Sequence, residues 1–278
     1  MIRSFRHLAI ASSVAAFQVA VFNATAVPAQ AGPQPADLVA QLATKATAFW
    51  DQFSAVTCTE SVVQRKLEAG GKEIIRRKSD YDYLILLQLA GDELMVEESR
   101  ILQGKAPKET DRALLSTNGF STLLLIFHPL FQPSFDFSAL PDGTLAGKPL
   151  WRLQFIYRDG RRSPSVLQLR SREYPIAWRG VAWIDPASSA IVRIEAQLKA
   201  PMEDVGLQSL ASDVSYESVA MKGTPNVWLP KTAVVEAATK RQRWHNVHEF
   251  THYRQFSVDT DSKVESPIGT KPDEGSKP

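Results

Sequence analysis

Residues 56–102 read VTCTESVVQRKLEAGGKEIIRRKSDYDYLILLQLAGDELMVEESRIL. Residues 56–67 are polar and β-branched, Gly70-Gly71 supplies a hairpin turn, and a return strand runs from Lys72 towards Leu89. Gly91-Asp92 is a second two-residue turn signal, leading into residues 93–102. Three consecutive antiparallel strands are the economical reading. A meander of this kind cannot bury its own apolar face, so the rest of the chain must supply both more sheet and a cover.

Upstream, Pro35 and Asp37 supply a helix start, and Leu38, Leu42, Phe49 and Phe53 recur at helical spacing, with Val39, Ala46 and Trp50 on an adjacent stripe. This predicts an amphipathic helix of about 17 residues with an aromatic face to bury. Downstream, residues 103–111 read as a polar loop. Residues 118–131, NGFSTLLLIFHPLF, are the most hydrophobic stretch after the N-terminus. Pro129 confines any helix to the residues before it, so a short helix apolar on nearly all sides is expected, followed by an aromatic loop through Phe135 and Phe137. An element apolar all round must be buried in protein, bound to ligand or pressed on a membrane.

The second half reads as strand after strand: residues 150–158 before the Asp159-Gly160 turn, then 165–170, 174–178 and 180–185. Val192, Ile194, Ala196 and Leu198 then alternate with Arg193, Glu195 and Gln197, the pattern of a half-buried strand. Longer strands are expected at 207–221, 226–238 and 242–258. The expected class is mainly β (α+β): a curled antiparallel sheet or unclosed half-barrel of about ten strands, with helices over its concave face.

Residues 1–31 read as a signal peptide: Arg3, Arg6 and His7 precede an apolar stretch, and Ala29-Gln30-Ala31 fits a small-x-small cleavage site. Residues 32–258 would then form one domain and residues 259–278 a disordered tail, with three prolines and no aromatic residue. The whole chain has 32 basic and 30 acidic side chains, but two of the basic ones are Arg3 and Arg6, so the remainder is neutral. That balance argues against nucleic acid as a partner. No later run of aliphatic and aromatic residues is longer than Leu123 through Phe127, which is too short to span a bilayer, so no transmembrane segment is expected after signal cleavage. The expected location is periplasmic or secreted. The single cysteine, Cys58, excludes an internal disulfide and reads as a buried thiol.

His248-Glu249-Phe250-Thr251-His252 matches the H-E-x-x-H zinc pattern, in which two histidines one helical turn apart hold the metal and the glutamate activates its water. The surrounding residues, Trp244, Val247, Phe250, Tyr253 and Phe256, favour a strand instead. On a regular strand the two histidines would share a face but stand roughly 13 Å apart, too far for one zinc. No third ligand follows at metzincin spacing, since positions 255 and 258 hold Gln255 and Val258. No nucleophile elbow, phosphate loop or dinucleotide turn occurs, and the basic clusters Arg76-Arg77-Lys78, Arg161-Arg162 and Lys240-Arg241 are short enough to be solvated turns and strand faces.

Several stretches together resemble a group of bacterial exported proteins without assigned activity. They are Thr57-Cys58-Thr59-Glu60, Tyr81-Asp82-Tyr83-Leu84, Gly119-Phe120, the run from Arg179 to Pro186 into Val192-Arg193-Ile194-Glu195, Trp228-Leu229-Pro230-Lys231 and Tyr253-Arg254-Gln255-Phe256. That group is similar, more distantly, to the periplasmic lipoprotein-carrier (LolA/LolB-like) superfamily. The resemblance implies an unclosed half-barrel whose helices cover an apolar concave face where acyl chains bind. It supplies no catalytic residue, cofactor or metal ligand to carry over.

The leading expectation is thus a non-enzymatic carrier or sensor for a hydrophobic small molecule, lipid or lipoprotein, with Phe120, Leu124, Phe127, Phe131, Trp151, Phe155 and Trp183 as ligand-binding candidates and no cofactor. The alternatives are a zinc hydrolase using His248, Glu249 and His252, and a structural module that docks on another envelope protein.

Overall fold

The structure, a computed structural model, describes residues 33–53, 56–90, 93–104, 114–169, 172–221 and 226–255. The expected signal segment, the tail, the Gly91-Asp92 turn and most of the 103–111 loop lie outside the described residues. Helix α1 spans Pro35–Phe53 and buries Leu38, Leu42, Ala46, Phe49 and Phe53. That is the stripe set by the three- and four-residue spacing of its apolar positions.

Twelve strands follow among the described residues: β1 (Val56–Glu68), β2 (Glu73–Ala90), β3 (Glu93–Gln103), β4 (Phe135–Leu145), β5 (Lys148–Tyr157), β6 (Val166–Leu169), β7 (Arg172–Pro175), β8 (Trp178–Ile184), β9 (Ile191–Leu198), β10 (Ser209–Val219), β11 (Val227–Ala238) and β12 (Gln242–Gln255). Ten of them form one antiparallel sheet in the order β3-β2-β1-β12-β11-β10-β9-β8-β5-β4, which does not close on itself. Strands β6 and β7 form a separate two-stranded hairpin. The first strand thus pairs with the last, Glu60 opposite Phe250 and Gln64 opposite Asn246. The β1–β2 turn has Gly71 at φ 89°, a left-handed conformation that glycine adopts without strain.

Strand alternation turns one row of side chains inward: Val56, Cys58, Glu60, Val62 and Gln64 on β1, Leu210, Ser212, Val214 and Tyr216 on β10, and Asn246, His248 and Phe250 on β12. Across this inner face lie α1 and a run of 3-10 turns, Phe120–Phe127, in which Ser121 through Phe127 are all buried. Phe49 meets Tyr216 edge-on with ring centroids 6.2 Å apart. Gln132 Nε2 donates to the carbonyls of Val39 and Phe127, tying the two covering elements together.

Three details differ from the sequence reading. The apolar 120–127 segment winds as 3-10 rather than α, entered from Gly119 at φ 78° and stopped before Pro129. The expected aromatic loop through Phe135 and Phe137 is the start of β4, an edge strand whose register slips between Leu140 and Gly143. An edge tolerates Pro141 because one side of its backbone needs no partner. Residues 174–178 are not one strand: β7 ends at Pro175, and β8 begins at Trp178 in the other sheet.

Candidate functional site

The inner face of β1, β2, β3 and β12 carries a patch that the apolar alternation does not predict. Glu60 on β1 is fully buried, and Arg100 on β3 grips it through two nitrogens, with Nη2 2.9 Å from Oε1. Arg100 Nη1 also lies 2.8 Å from Glu98 Oε2 and donates to Asn118 Oδ1. His248 Nδ1 stands 2.8 Å from Glu60 Oε1, and His248 Nε2 stands 2.7 Å from Thr117 Oγ1. An ionised Glu60 only accepts, so Nδ1 carries the hydrogen of that bond, and the other ring nitrogen is bonded to the Thr117 hydroxyl. Thr117 Oγ1 in turn accepts from Asn246 Nδ2 at 3.1 Å.

Burial by itself would raise the Glu60 carboxyl, but the hydrogen bonds from His248 and Arg100 outweigh it and hold Glu60 below the usual carboxylate range. Glu98 is shifted the other way. Burial raises it and the neighbouring Glu60 adds to the rise, against the opposing Arg100 charge and the Gly119 N–H.

Besides bonding one another, most of these groups hold a partner in the segment just before the 3-10 turns. Leu115 O accepts from Gln64 Nε2 and Asn246 Nδ2, both at 2.9 Å, and the Gly119 N–H donates to Glu98 Oε1 at 2.6 Å. Tyr83 OH and Ser121 Oγ are 2.8 Å apart. Residues 115–121 are therefore fastened to the sheet by side-chain hydrogen bonds rather than by a backbone ladder. Hydroxyl, imidazole and carboxylate stand in the order that a hydrolase uses, but Thr117 is only 5% exposed and pinned from both sides, which makes the chain a fastening.

Beside the fastened segment opens a cleft of about 580 Å³, bounded by residues 115–120 and Thr122, by residues 164–167 with Glu173 and Ile176, by Val96 and Glu98 of β3, and by Leu207, Leu210 and Ala237 near the ends of β10 and β11. Leu115, Phe120, Ile176, Leu207, Leu210 and Ala237 give it an apolar lining, and Glu98 reaches its wall.

The seven ligand-binding candidates divide. Phe120 lines the cleft and meets Trp178 edge-on, ring centroids 6.3 Å apart. Leu124, Phe127, Phe131 and Phe155 are buried in the core beneath α1, where Phe127 packs against Phe137 and Phe155. Trp151 is half-buried against the same core. Trp183 is on the opposite face of the sheet: Trp178, Ala182 and Ile184 turn inward, so alternation sends Trp183 outward. There its Nε1 donates to Glu195 Oε2 at 2.8 Å, and Arg152 lies over its ring at 4.9 Å.

The zinc geometry is also corrected. Thr57 pairs with Arg254 and Thr59 with Thr251, so β12 carries one extra residue there, a bulge at which His252 has φ 54°. His248 points into the core and His252 is exposed, so the two do not share a face. Among the described residues no group of three or more potential ligands could hold a metal. Cys58 is buried, and burial pushes its thiol up to about 12.

The sequence reading missed the polar fastening altogether. Its signal was present as Glu60 and Gln64 at inward positions of β1, and Asn246 and His248 at inward positions of β12.

No family model matches the chain, and no curated protein is significantly similar to it. Solved structures do match in fold. A DUF1329 family protein from Desulfovibrio piger is 12% identical with a TM-score of 0.42, over 80% of this chain and 94% of that one. A LolA superfamily protein from Nitrosomonas europaea is 10% identical with a TM-score of 0.38, over 79% and 94%. A putative outer membrane lipoprotein-sorting protein domain from Vibrio parahaemolyticus is 12% identical with a TM-score of 0.38, over 77% and 91%. The likeness is remote and is one of fold.

Proposed function

We propose that the chain is a non-enzymatic binding protein for an acyl chain or other apolar ligand, working after export in a periplasm or outside the cell. Residues 32–258 would be its working domain, residues 1–31 its export signal and residues 259–278 a tail. The observation that carries this reading is the cleft beside residues 115–122. Its lining is mainly apolar, with Glu98 and Glu173 among the polar residues, and its volume of about 580 Å³ falls in the range of small-molecule pockets. The deeper interior is filled by the protein's own Leu124, Phe127 and Phe155. The ligand therefore belongs in this cleft.

The energetics favour an alkyl chain. Each methylene taken out of water contributes about 0.8 kcal/mol, so eight of them supply about 6 kcal/mol before the cost of ordering. The direct test is titration with a fluorescent fatty-acid probe, comparing the unaltered protein with Leu207→Trp, which adds bulk to the half-buried cleft wall. Saturable binding that Leu207→Trp weakens at least tenfold, with unchanged circular dichroism, is the expected result. No saturable binding to the unaltered protein, and no lipid in an extract of it, would overturn the reading.

A further inference from the structure

The cleft does not end at Leu207. That side chain also borders a larger hollow, about 800 Å³, formed by Pro201, Val205 and the β11–β12 turn. The cleft and this hollow thus adjoin at Leu207, and Val205 and Trp244 carry the apolar lining on towards the β11–β12 turn. A further hollow of about 460 Å³, lined by Arg65, Glu236, Arg243 and His245, belongs to the other face of the sheet, because these side chains alternate with the inward Gln64, Ala237, Trp244 and Asn246.

At that far end the chemistry changes. Lys240 and Arg241 line this hollow. Neither side chain has an ion-pair partner among the described residues. Glu203 is the one acid that lines the hollow with them. Solvated turn cations need no partner, but here they stand where an apolar run terminates, which is the layout of an amphiphile's two halves.

We infer that the ligand is a single-chain amphiphile with an anionic head, a carboxylate or a phosphate, whose tail occupies the cleft past Leu207 and whose head sits between Lys240 and Arg241. This rests on the cleft being a ligand site and adds the head group and the direction of binding. Two cations beside one anion draw it in from solution and fall in effect as salt rises.

The experiment is displacement of the fluorescent fatty-acid probe by four twelve-carbon amphiphiles: laurate, dodecyl phosphate, dodecanol and dodecyltrimethylammonium. Each is run below its micelle concentration against the unaltered protein and against the Lys240→Glu, Arg241→Glu double variant. Inorganic phosphate is a fifth competitor. Laurate and dodecyl phosphate should bind at least tenfold more tightly than the cationic amphiphile, with a preference that shrinks in high salt and reverses or vanishes in the double variant. Dodecanol should bind both proteins alike, and inorganic phosphate should not displace the probe. Equal binding of all four heads, or an anion preference that survives in the double variant, overturns the inference and leaves the apolar site standing. Displacement by inorganic phosphate alone makes the rim a site for the free ion and also overturns it. If no amphiphile displaces the probe, both readings fall.

Discussion

Glu60 shows how much one buried residue decides. It is fully buried, bound through both oxygens by Arg100 and bonded to His248, so Glu60→Gln removes a charge and leaves Arg100 in the interior without its main partner. A loss of about 3–5 kcal/mol is expected, read as a lower urea midpoint. Glu98→Gln should cost far less, within about 1 kcal/mol of the unaltered protein, because Glu98 is the carboxyl that burial holds up and a glutamine oxygen still accepts from Gly119. Their pH signatures are opposite in sign. Glu60, lowered in the fold, contributes stability that is present above the ordinary carboxylate value of 4.5 and is lost as pH falls below it. Glu98, raised in the fold, subtracts stability as pH climbs above 4.5, so Glu98→Gln should flatten the stability profile on the neutral side and Glu60→Gln on the acid side. Cys58 should resist thiol reagents at pH 8 until the protein unfolds. Its burial was legible from the strand-like run around it, whereas the role of Glu60 was not. A carboxylate at an inward position is explained only by Arg100 and His248, which lie far away in sequence.

Among the elements, β5 and β8 show packing that leaves no slack. A Cβ added at Gly180 would sit 2.0 Å from the Glu195 carbonyl oxygen and 2.5 Å from the Phe155 ring. Gly180→Ala should cost at least the upper end of the ~1–3 kcal/mol usual for overpacking, read by urea denaturation. Two phenylalanines from the 3-10 segment should separate core from site. Phe127→Ala, fully buried, should cost about 3–5 kcal/mol of stability, while Phe120→Ala, half-buried on the cleft wall, should lose less stability and more probe affinity. Strands β1 to β3 were legible because period-two patterning and the Gly70-Gly71 turn agree. Strand β4 was not, because Pro141, Asp142 and Gly143 read as a break where the chain makes an edge bulge. The 120–127 segment was legible as a short helical piece apolar on nearly all sides, but composition neither chose core over ligand or membrane nor distinguished 3-10 from α winding. The bulge at His252 was equally silent, and it is what separates the two histidines of the apparent zinc motif.

Across the molecule, stability should be uneven. The 115–121 segment is held by side-chain bonds from Gln64, Glu98, Arg100, Asn246 and His248, while the sheet behind it is held by continuous ladders. Amide hydrogen exchange should therefore find residues 115–119 opening at lower free energy than β1 or β12, and a bound acyl probe should slow them. Equal protection of segment and sheet would count against the fastening. The class of fold was legible because alternating strands and two apolar covering segments admit few other arrangements. The site was not, because its lining comes from Val96 and Glu98, residues 115–120, Thr122, residues 164–167, Glu173, Ile176, Leu207, Leu210 and Ala237, scattered positions that form no motif. The pairing of β1 with β12 also sets an order of assembly. Glu60 and His248 are separated by 188 positions, so the seam between the third and fourth strands of the sheet waits for nearly the whole chain. Until β12 arrives, β1 has an open edge and Glu60 lacks its imidazole, and the slow step of folding should be the closing of that seam.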